Sequence, residues 1–311
     1  MTDWVVFALA GFAASLVDGA LGMGFGPTSS SILLGSGLAP AAVSASVNLS
    51  KVATGLVSGL SHWRFRNVDR KLVLKLAIPG CLGALGGATI LSTLNGAVLR
   101  PYLAMLLSVV GLRILVRFAR PLPPKRPGGA GQPEERGRRY DLQYDERGVT
   151  AAALAGGVTN GLIGAWGPVV TPFLLHRNVR PRFAIGCVNT AEIAVASTAA
   201  FSLLATLGGG GLQVGVVVAM LVGGGLAAPV AAWVIRYVPP GPMGVLVAGL
   251  LLLTNARDLM AWGGLSSRWG VWMVYGVIVA AVCTAFRAAM RNRSATAPAT
   301  EADPSPVRRA G

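Results

Sequence analysis

The sequence predicts an all-α polytopic membrane protein built from two inverted repeats. Each repeat is expected to be a broken-helix hairpin plus three transmembrane helices, and one extra C-terminal transmembrane helix follows. Three observations support this fold class. The 311 residues are 53% hydrophobic and only 13% charged, several apolar runs are long enough to span a bilayer, and an unusual glycine-proline pattern occurs twice.

The apolar runs are each long enough to cross about 30 Å of hydrocarbon as a helix. Helices are expected because unpaired backbone groups are too costly in lipid, and no alternating pattern typical of a β-barrel is present. A soluble domain of this length would need more polar surface. The runs cover residues 41–63, 72–94, 99–118, 183–207, 212–237, 243–260 and 269–286.

The duplicated pattern places glycine and proline inside apolar segments at equivalent positions of the two halves. One numbering offset relates every matched residue, and it pairs Lys51 with Glu192. Such an arrangement is typical of a secondary transporter whose binding site lies where broken helices meet. The first copy reads Phe25-Gly26-Pro27, Pro40 and Val47-Asn48-Leu49-Ser50-Lys51, and the second reads Trp166-Gly167-Pro168, Pro181 and Val188-Asn189-Thr190-Ala191-Glu192.

The net charge of +15 comes from basic residues that cluster beside the apolar runs, where the positive-inside rule explains them without a nucleic-acid partner. We therefore expect a multi-pass membrane protein with a cytoplasmic C-terminus and an N-terminus on the opposite side of the membrane. The clusters are Arg64, Arg66, Arg70, Lys71 and Lys75; residues 113–147; Arg177, Arg180 and Arg182; and Arg287, Arg291 and Arg293.

This orientation requires the stretch before Pro40 to return to its own side of the membrane. It is expected to form a hairpin of residues 4–17, a loop at 18–26 and a short helix from Pro27. Residues 150–176 form the counterpart, inserted from the opposite side, so the second repeat is upside down. Because the N-terminus lacks a basic leader and Asp3 is acidic, the first apolar stretch is expected to be retained.

The expected domains follow from this order and from shifts in composition. Residues 1–119 form the first transmembrane repeat, and 120–148, rich in proline, glycine and both charge signs, form a cytoplasmic linker. Residues 149–262 form the second repeat, 263–293 the extra C-terminal helix and 294–311 a disordered tail. Glycine-rich faces at Gly83, Gly86, Gly87 and residues 223–225 permit close helix packing, which leaves an oligomer possible.

Polar residues inside the spans are the candidate substrate site. Ser44, Asn48 and Lys51 share one helix face, and Asn189 and Glu192 share the matching face of the other repeat. A charge near the middle of a span costs at least about 2.5–3.5 kcal/mol, so Lys51 must face protein or water. It is expected to bind an anionic substrate. A structural Lys51–Glu192 or Lys51–Asp18 ion pair is the alternative.

Glu192 and Asp18 are the candidates for proton coupling, because a carboxyl group buried this deep can bind and release a proton near neutral pH. Asp18 has an alternative role as a cap or turn residue before Gly19. We find no similar local role for Glu192.

The broken segments supply the remaining candidate binding residues. A helix that begins inside the membrane points free N–H groups and a positive dipole at the cavity, which suits an anion, and proline favours such a start. Trp166 is expected either to stack on the substrate or to pack against the partner repeat. The candidates are Gly26, Pro27, Thr28 and Ser29 in the first break and Trp166, Gly167 and Thr171 in the second.

These motifs resemble the TauE/SafE family of bacterial membrane proteins, over nearly everything from Ala8 to Met260 except the linker. The resemblance implies transport of small anions, often sulfur-containing ones such as sulfite or sulfonates, and in some members organic acids. It is carried by the glycine-rich break at residues 18–27, Ala45-Ser46-Val47-Asn48, Val68-Asp69, Gly111-Leu112-Arg113, Asn160-Gly161-Leu162-Ile163-Gly164 and Gly167-Pro168.

The chain also departs from the family pattern. Met23 and Phe25 interrupt the glycine run of one repeat, and Ala165 and Trp166 interrupt the other. The small-residue segments end in Asn48 and Asn189, where the family pattern has Thr-Ser. These changes indicate a site of altered shape and polarity, so a small anion is a better expectation than sulfite in particular.

The function expected from the sequence is a secondary active transporter for a small organosulfur or organic anion, such as sulfite, a sulfonate or a small carboxylate, coupled to protons. An anion channel or uncoupled facilitator is the alternative, and an intramembrane enzyme or assembly factor is a third class. No nucleotide-binding loop or nucleophile elbow occurs. His62 and His176 are isolated and the three cysteines show no CxxC spacing, so no metal site or cofactor is expected.

Overall fold

The computed structural model describes residues 2–21, 23–119, 145–207, 214–237, 240–265 and 267–296. Within these ranges the chain forms eleven α-helices and no β-strand. The helices are α1 (Thr2–Leu21), α2 (Phe25–Gly35), α3 (Pro40–Arg64), α4 (Arg70–Thr93), α5 (Gly96–Ala119), α6 (Val149–Ile163), α7 (Gly167–His176), α8 (Pro181–Leu207), α9 (Val214–Tyr237), α10 (Pro240–Trp262) and α11 (Arg268–Thr296).

The expected apolar runs coincide with α3, α4, α5, α8, α9, α10 and α11, so the all-α prediction is confirmed. Five of these helices, α4, α5, α8, α10 and α11, are long and apolar enough to cross a membrane. Helix α3 is equally long, with 25 residues, but it carries several buried polar side chains. Local signals fit these boundaries, since α3 and α8 begin at proline and the Asp69 carboxylate caps α4 by accepting from Leu72 N–H at 2.7 Å.

Each half of the chain begins with two helices separated by a short break. The first break is shorter than the expected loop at residues 18–26, because α1 continues through Asp18 to Leu21 and α2 already begins at Phe25. Asp18 does not interrupt the helix, since its carboxylate accepts hydrogen bonds from Gly24 and Phe25 N–H while the residue stays on α1. The second break joins α6 to α7 and falls at residues 164–166.

The two halves of the chain are packed into one another. Helix α1 lies along α9, α6 lies along α4, α3 packs on α8, and α5 packs on α10. In each of these pairs one helix comes from residues 2–119 and the other from residues 149–262. Helix α11 packs mainly on α10. The broken pairs α1–α2 and α6–α7 therefore each rest on a helix of the opposite half.

Small residues allow the closest of these contacts. Gly83 and Gly87 of α4 face Gly157 and Gly161 of α6 so closely that a Cβ atom at any of the four would overlap backbone atoms of the partner helix. Gly11 of α1 and Gly223 of α9 make the same kind of contact with each other's helices. Van der Waals packing through small residues is the usual means of helix association in lipid. The glycine faces noted in the sequence thus serve contacts within the chain, except that Gly86 and Gly225 face open space.

Two hydrophobic cores lie inside the bundle. One joins α1, α2, α3, α5 and α10, and the other joins α4, α6, α7 and α8 around Trp166. Large apolar side chains also cover the outside. On α4 they follow one stripe, at Leu74, Ile78, Leu82 and Leu85. An apolar exterior of this kind is what a lipid-facing surface requires.

The described residues of the basic clusters lie at one end of the bundle, which we call the basic end. There Asp69 N–H donates to Cys187 Sγ at 3.2 Å, which joins the start of α4 to α8. Arg177 at the end of α7 pairs with Asp145, and Lys75 of α4 pairs with Glu146. The Arg147 N–H and then the Arg177 guanidinium lower the pKa of Asp145, which favours the ionised form of this exposed pair.

Two expected domains fall mostly outside the described residues. Of the expected linker at 120–148, the structure describes residues 145–148. Of the expected tail at 294–311, it describes residues 294–296, which continue α11.

The α4–α6 contact predicts the effect of adding a single methyl group. Gly83→Ala would place Cβ against the backbone of Leu154 in α6, so we expect a loss of about 1–3 kcal/mol from overpacking, seen as a lower midpoint of thermal unfolding in detergent. Gly86→Ala lies on the same helix with open space around it and should leave the midpoint unchanged or raise it. Equal midpoints for the two variants would contradict the close packing.

Candidate functional site

The two breaks of the chain meet at the centre of the bundle. Gly26, in the first turn of α2, lies against the carbonyl oxygen of Gly164, and a Cβ atom at Gly26 would overlap that oxygen. Gly164 ends α6 in the left-handed conformation with φ +69°, which a side chain would strain. The beginnings of α2 and α7 and the end of α6 are thereby brought together, as the duplicated pattern predicts.

A polar stripe on α3 binds the end of α6. Ser44 Oγ donates to Gly161 O at 2.6 Å, and Asn48 Nδ2 donates to Asn160 O at 3.2 Å. Asn160 Nδ2 returns a hydrogen bond to Asn48 Oδ1 at 2.7 Å. The last carbonyl groups of a helix often lack a partner within that helix. Here Ser44 binds Gly161 O, and Asn160 O accepts from both Gly164 N–H and Asn48. Ser44, Asn48 and Asn160 are completely buried.

Lys51 lies one turn further along the same stripe and is 5% exposed. Its Nζ donates to Gly164 O at 2.7 Å and to Asn160 Oδ1 at 2.9 Å, and it forms an ion pair with Glu192 of α8. An ammonium group has three N–H donors, so these three acceptors satisfy it completely. The structure shows the Lys51–Glu192 pair that the sequence left as an alternative to substrate contact.

Asp18 lies beside this pair. Its carboxylate accepts from Gly24 N–H at 3.0 Å and from Phe25 N–H at 3.3 Å, so it caps the start of α2. Two carboxylates and one ammonium therefore surround the free space at the centre, whose volume is about 10 Å³. This is close to the ~10–15 Å³ that one water molecule needs. The lining residues are Asp18, Met23, Phe25, Gly26, Pro27, Lys51, Gly164, Gly167, Pro168 and Glu192.

The other expected site residues are distributed around this cavity. Thr28 and Thr171 are buried, and their hydroxyl groups have no hydrogen-bond partner among the described residues. Ser29 Oγ donates back to Phe25 O in its own helix. Asn189 donates to Ser58 Oγ at 3.1 Å. Neither Ser29 nor Asn189 lines the cavity.

Trp166 also lies outside the cavity. Its ring packs on Gly80 of α4, and Nε1 donates to Val188 O at 3.1 Å. The sequence left two roles open for Trp166, which were stacking on a substrate and packing against the partner repeat. The structure shows packing against the other half of the chain. Its counterpart Phe25 does line the cavity.

Asn160 is the residue that sequence reasoning missed. It belongs to the motif that carries the family resemblance, but its counterpart by the repeat offset is Gly19, so the duplicated pattern gives it no weight. Its own position offered the signal, because an asparagine in an otherwise apolar helix needs a buried partner. It binds both Asn48 and Lys51.

A second polar cluster joins α2 to α10, on the side of the cavity away from the basic end. Asn255 Nδ2 donates to Ser31 Oγ at 2.7 Å, and Ser31 Oγ also bonds to Thr254 Oγ1. Beyond them, Arg100 of α5 donates to Leu34 O near the end of α2 and to Asp258 Oδ2 at 3.2 Å. These contacts hold α2 against α5 and α10 on that side.

A large cavity lies on the other side of the centre and opens towards the basic end. Its volume is about 1200 Å³, and it separates α5 from α6 and α7. Met23 and Pro168 form its inner end, and both also line the small central cavity. Arg113, Arg117 and His176 lie on its walls. We call it the vestibule.

Metal chemistry has no candidate in the described part of the chain, where no three His, Cys, Asp or Glu side chains are grouped as metal ligands would be. Cys81, Cys187 and Cys283 are free thiols.

The buried ion pair predicts a stability effect. Lys51→Met leaves Glu192 buried without its cation, and we expect this to cost about 3–5 kcal/mol. The Lys51→Met/Glu192→Met double variant should recover most of that loss, because apolar residues of similar volume often replace a buried pair without cost. Thermal unfolding midpoints in detergent measure both. Lys75→Met, in an exposed pair with Glu146, is the control and should cost less than about 1 kcal/mol. A double variant as unstable as Lys51→Met would contradict this account.

Comparisons with known proteins agree with this architecture. Residues 7–257 match the family model described as sulfite exporter TauE/SafE. The chain is 40% identical over 263 residues to the probable membrane transporter protein YtnM of Bacillus subtilis (strain 168), a match that covers 84% of both proteins. No solved structure shows a significant match. The family match covers most of the chain and includes both breaks and the Lys51–Glu192 pair, and the chain therefore belongs to the TauE/SafE family.

Proposed function

We propose that this membrane protein is a secondary active transporter that moves a small organosulfur or organic anion together with protons. It works by alternating access around a midplane site between two inverted repeats. The observation that carries the proposal is the small cavity at the meeting point of the two breaks, where one buried lysine lies between two largely buried carboxyl groups.

The helix packing supports inverted repeats. By the repeat offset, α1–α5 correspond to α6–α10. Exchanging the two sets converts the α1–α9 contact into the α6–α4 contact, and it leaves the α3–α8 and α5–α10 contacts unchanged. Helices related in this way around one axis are what a repeat transporter requires. The domain boundaries at residues 119, 149 and 262 follow from the same correspondence.

The charges suggest how an anion and a proton are coupled. An uncompensated charge is costly in the membrane interior, and the centre holds two carboxyl groups for one ammonium. We therefore expect one proton to reside there when the site is empty. An incoming anion needs the Lys51 donor that Glu192 occupies. A proton on Glu192 weakens that pair and releases the donor, so the anion and the proton bind together. Asp18 is the second group able to hold a proton.

The bundle is closed beside α2 and open beside α7, and this difference supports alternating access. The α2–α10 contact is closed by Ser31, Thr254 and Asn255. Its counterpart by repeat symmetry lies between α7 and α5, where the vestibule is found instead. A transporter with one closed end and one open end has the geometry of one half of its cycle. A channel would need a passage past the centre, and the 10 Å³ cavity provides none.

Charge placement suggests which end is cytoplasmic. The positive-inside rule assigns the basic end to the cytoplasm, so the vestibule opens inward. The start of α1 and the loop between α4 and α5 then lie in the periplasm, and α11 ends in the cytoplasm. We propose this orientation for the cytoplasmic membrane of a bacterium.

The family description names sulfite, but the departures at Met23, Phe25, Ala165 and Trp166 alter the breaks. We therefore propose a sulfonate or a small carboxylate beside sulfite as the substrate. The residues proposed to contact it once the pair opens are Lys51, Asn48, Ser44, Gly26, Pro27, Thr28, Gly167 and Thr171, with α7 offering a first turn that has no side-chain cap.

The test is transport by purified protein in liposomes on a supported membrane. Sulfite, thiosulfate, sulfoacetate, taurine, oxalate, pyruvate and lactate are added in turn, with and without a pH gradient. Saturable transport that responds to the gradient supports a coupled carrier. Flux that does not saturate and ignores pH would favour a channel or uncoupled facilitator.

Glu192→Gln separates binding from coupling. The amide resembles a protonated carboxyl group, so we expect anion exchange between the two sides to continue while a pH gradient no longer drives accumulation. Lys51→Met should weaken anion binding at least about tenfold, because a lost hydrogen bond to a charged group costs about 1.5–3 kcal/mol. Radiolabelled counterflow and gradient-driven uptake measure the two properties. Equal loss of binding in both variants would support a purely structural pair.

A disulfide tests the closed end. In a variant lacking the native cysteines, Ser31→Cys and Thr254→Cys place two thiols where the hydroxyl groups now touch. Oxidation should lock α2 to α10 and stop transport by at least about 90%, and dithiothreitol should restore it, because alternating access requires this end to open. Continued transport by the fully oxidised protein would refute the role of this contact.

A further inference from the structure

Two arginines of the basic clusters lie in the vestibule, and the positive-inside rule explains their side of the membrane but not their place in a cavity. Arg113 and Arg117 lie four residues apart on α5 and therefore on the same helix face, and both line the vestibule. Both side chains are exposed to it. Two positive charges at this spacing repel each other and destabilise the helix.

No carboxylate compensates these charges in the part of the chain that the structure describes. The described salt bridges join other residues. The one polar contact of Arg117 among the described residues is with Met23, where Nη1 donates to Sδ at 3.6 Å. A thioether is a weak acceptor, so most of the five guanidinium donors remain available. The arginine pair therefore has the positive charge and the free hydrogen-bond donors that an anion site requires.

The position of the pair links it to the central cavity. Met23, which Arg117 contacts, lines both the vestibule and the central cavity, and Pro168 does the same. Met23 and Pro168 therefore lie between an anion held by Arg117 and the cavity that contains Lys51. The remaining walls are largely apolar, with Val110, Ile114 and Phe173 among them. Low-dielectric walls focus the field of the arginines on the space between them.

We infer that Arg113 and Arg117 form a second anion site, which holds the oxyanion group of the transported anion before it passes Met23. The inference rests on the proposed transport function. Carboxylate and sulfonate groups suit it, because guanidinium binds planar or trigonal oxyanions through paired hydrogen bonds. An anionic lipid headgroup presents the same chemistry, and its acyl chains would find the exposed Leu112 and Val116, which also line the vestibule.

Thiol labelling tests the site without requiring transport. Val169 lines the inner part of the vestibule, and Val169→Cys in a variant lacking the native cysteines provides the target. The probes are 2-sulfonatoethyl methanethiosulfonate, a sulfonate anion, and its trimethylammonium analogue. We expect Arg113→Gln/Arg117→Gln to slow labelling by the anion about tenfold and to speed labelling by the cation, because steering and local concentration by charge are of at least this size.

The control is Arg66→Gln/Arg70→Gln, which removes the same charge from the basic end but from residues that do not line the vestibule. It should change either rate less than about twofold, since exposed charges beyond a Debye length are screened. Equal effects of the two double variants would overturn the inference, because net charge alone would then explain labelling.

Lipid composition separates the two sources of oxyanion. In phosphatidylcholine nanodiscs, methanesulfonate and acetate should slow anionic labelling of Val169→Cys, and the Arg113→Gln/Arg117→Gln background should remove that protection. If the preference for the anionic probe disappears whenever phosphatidylglycerol is present, a lipid headgroup occupies the arginines and the inference is wrong. A protein that transports nothing in liposomes but shows protected labelling would refute the transport proposal alone.

Discussion

The structure depends on one buried charge. Lys51 lies at the middle of α3, and its ammonium is satisfied by Glu192 of α8, by the Asn160 side chain of α6 and by the Gly164 carbonyl at the end of α6. A charge this deep is stable only with such partners. These partners belong to the second half of the chain while Lys51 belongs to the first, so the same contact that stabilises the charge also joins the halves at the centre.

The backbone around Lys51 is shaped to bring those partners within reach. Gly164 adopts a left-handed conformation that turns its carbonyl towards the lysine, and Gly26 has no side chain to block the approach. Ser44 and Asn48 donate to the carbonyl groups of Gly161 and Asn160 near the end of α6. The positions matched by the numbering offset differ in chemistry, since the Asp18 carboxylate accepts from Gly24 and Phe25 N–H. The hydroxyl group of its counterpart Thr159 instead donates to carbonyl oxygens of Gly156 and Ala165. The matched positions therefore carry a carboxylate in the first half of the chain and a neutral hydroxyl group in the second half.

The same asymmetry appears at the two ends. A network of hydroxyl and amide groups holds α2 against α10, and the corresponding space beside α7 is open and bordered by arginines. Hydrogen bonds between neutral side chains contribute only about 0.5–1.5 kcal/mol each. The α2–α10 contact is therefore weak compared with the contact of α4 with α6, where glycines bring the two backbones together.

The sequence alone is sufficient to predict the helices, their apolar lengths and the two breaks. It also shows a lysine and a glutamate at matched positions deep in the spans. These features follow from local rules. A chain that spans a bilayer needs long apolar helices, and a charge or proline inside such a run is easily recognised in the sequence. Only the tertiary structure shows that Lys51 pairs with Glu192, that Asn160 binds Lys51, and that Trp166 and Asn189 do not line the cavity. Those outcomes depend on which helices approach closely and on their rotation about their axes. Contacts between residues far apart in the sequence, such as Gly83 and Gly157, set that geometry. It cannot be predicted from the residue pattern of a single helix.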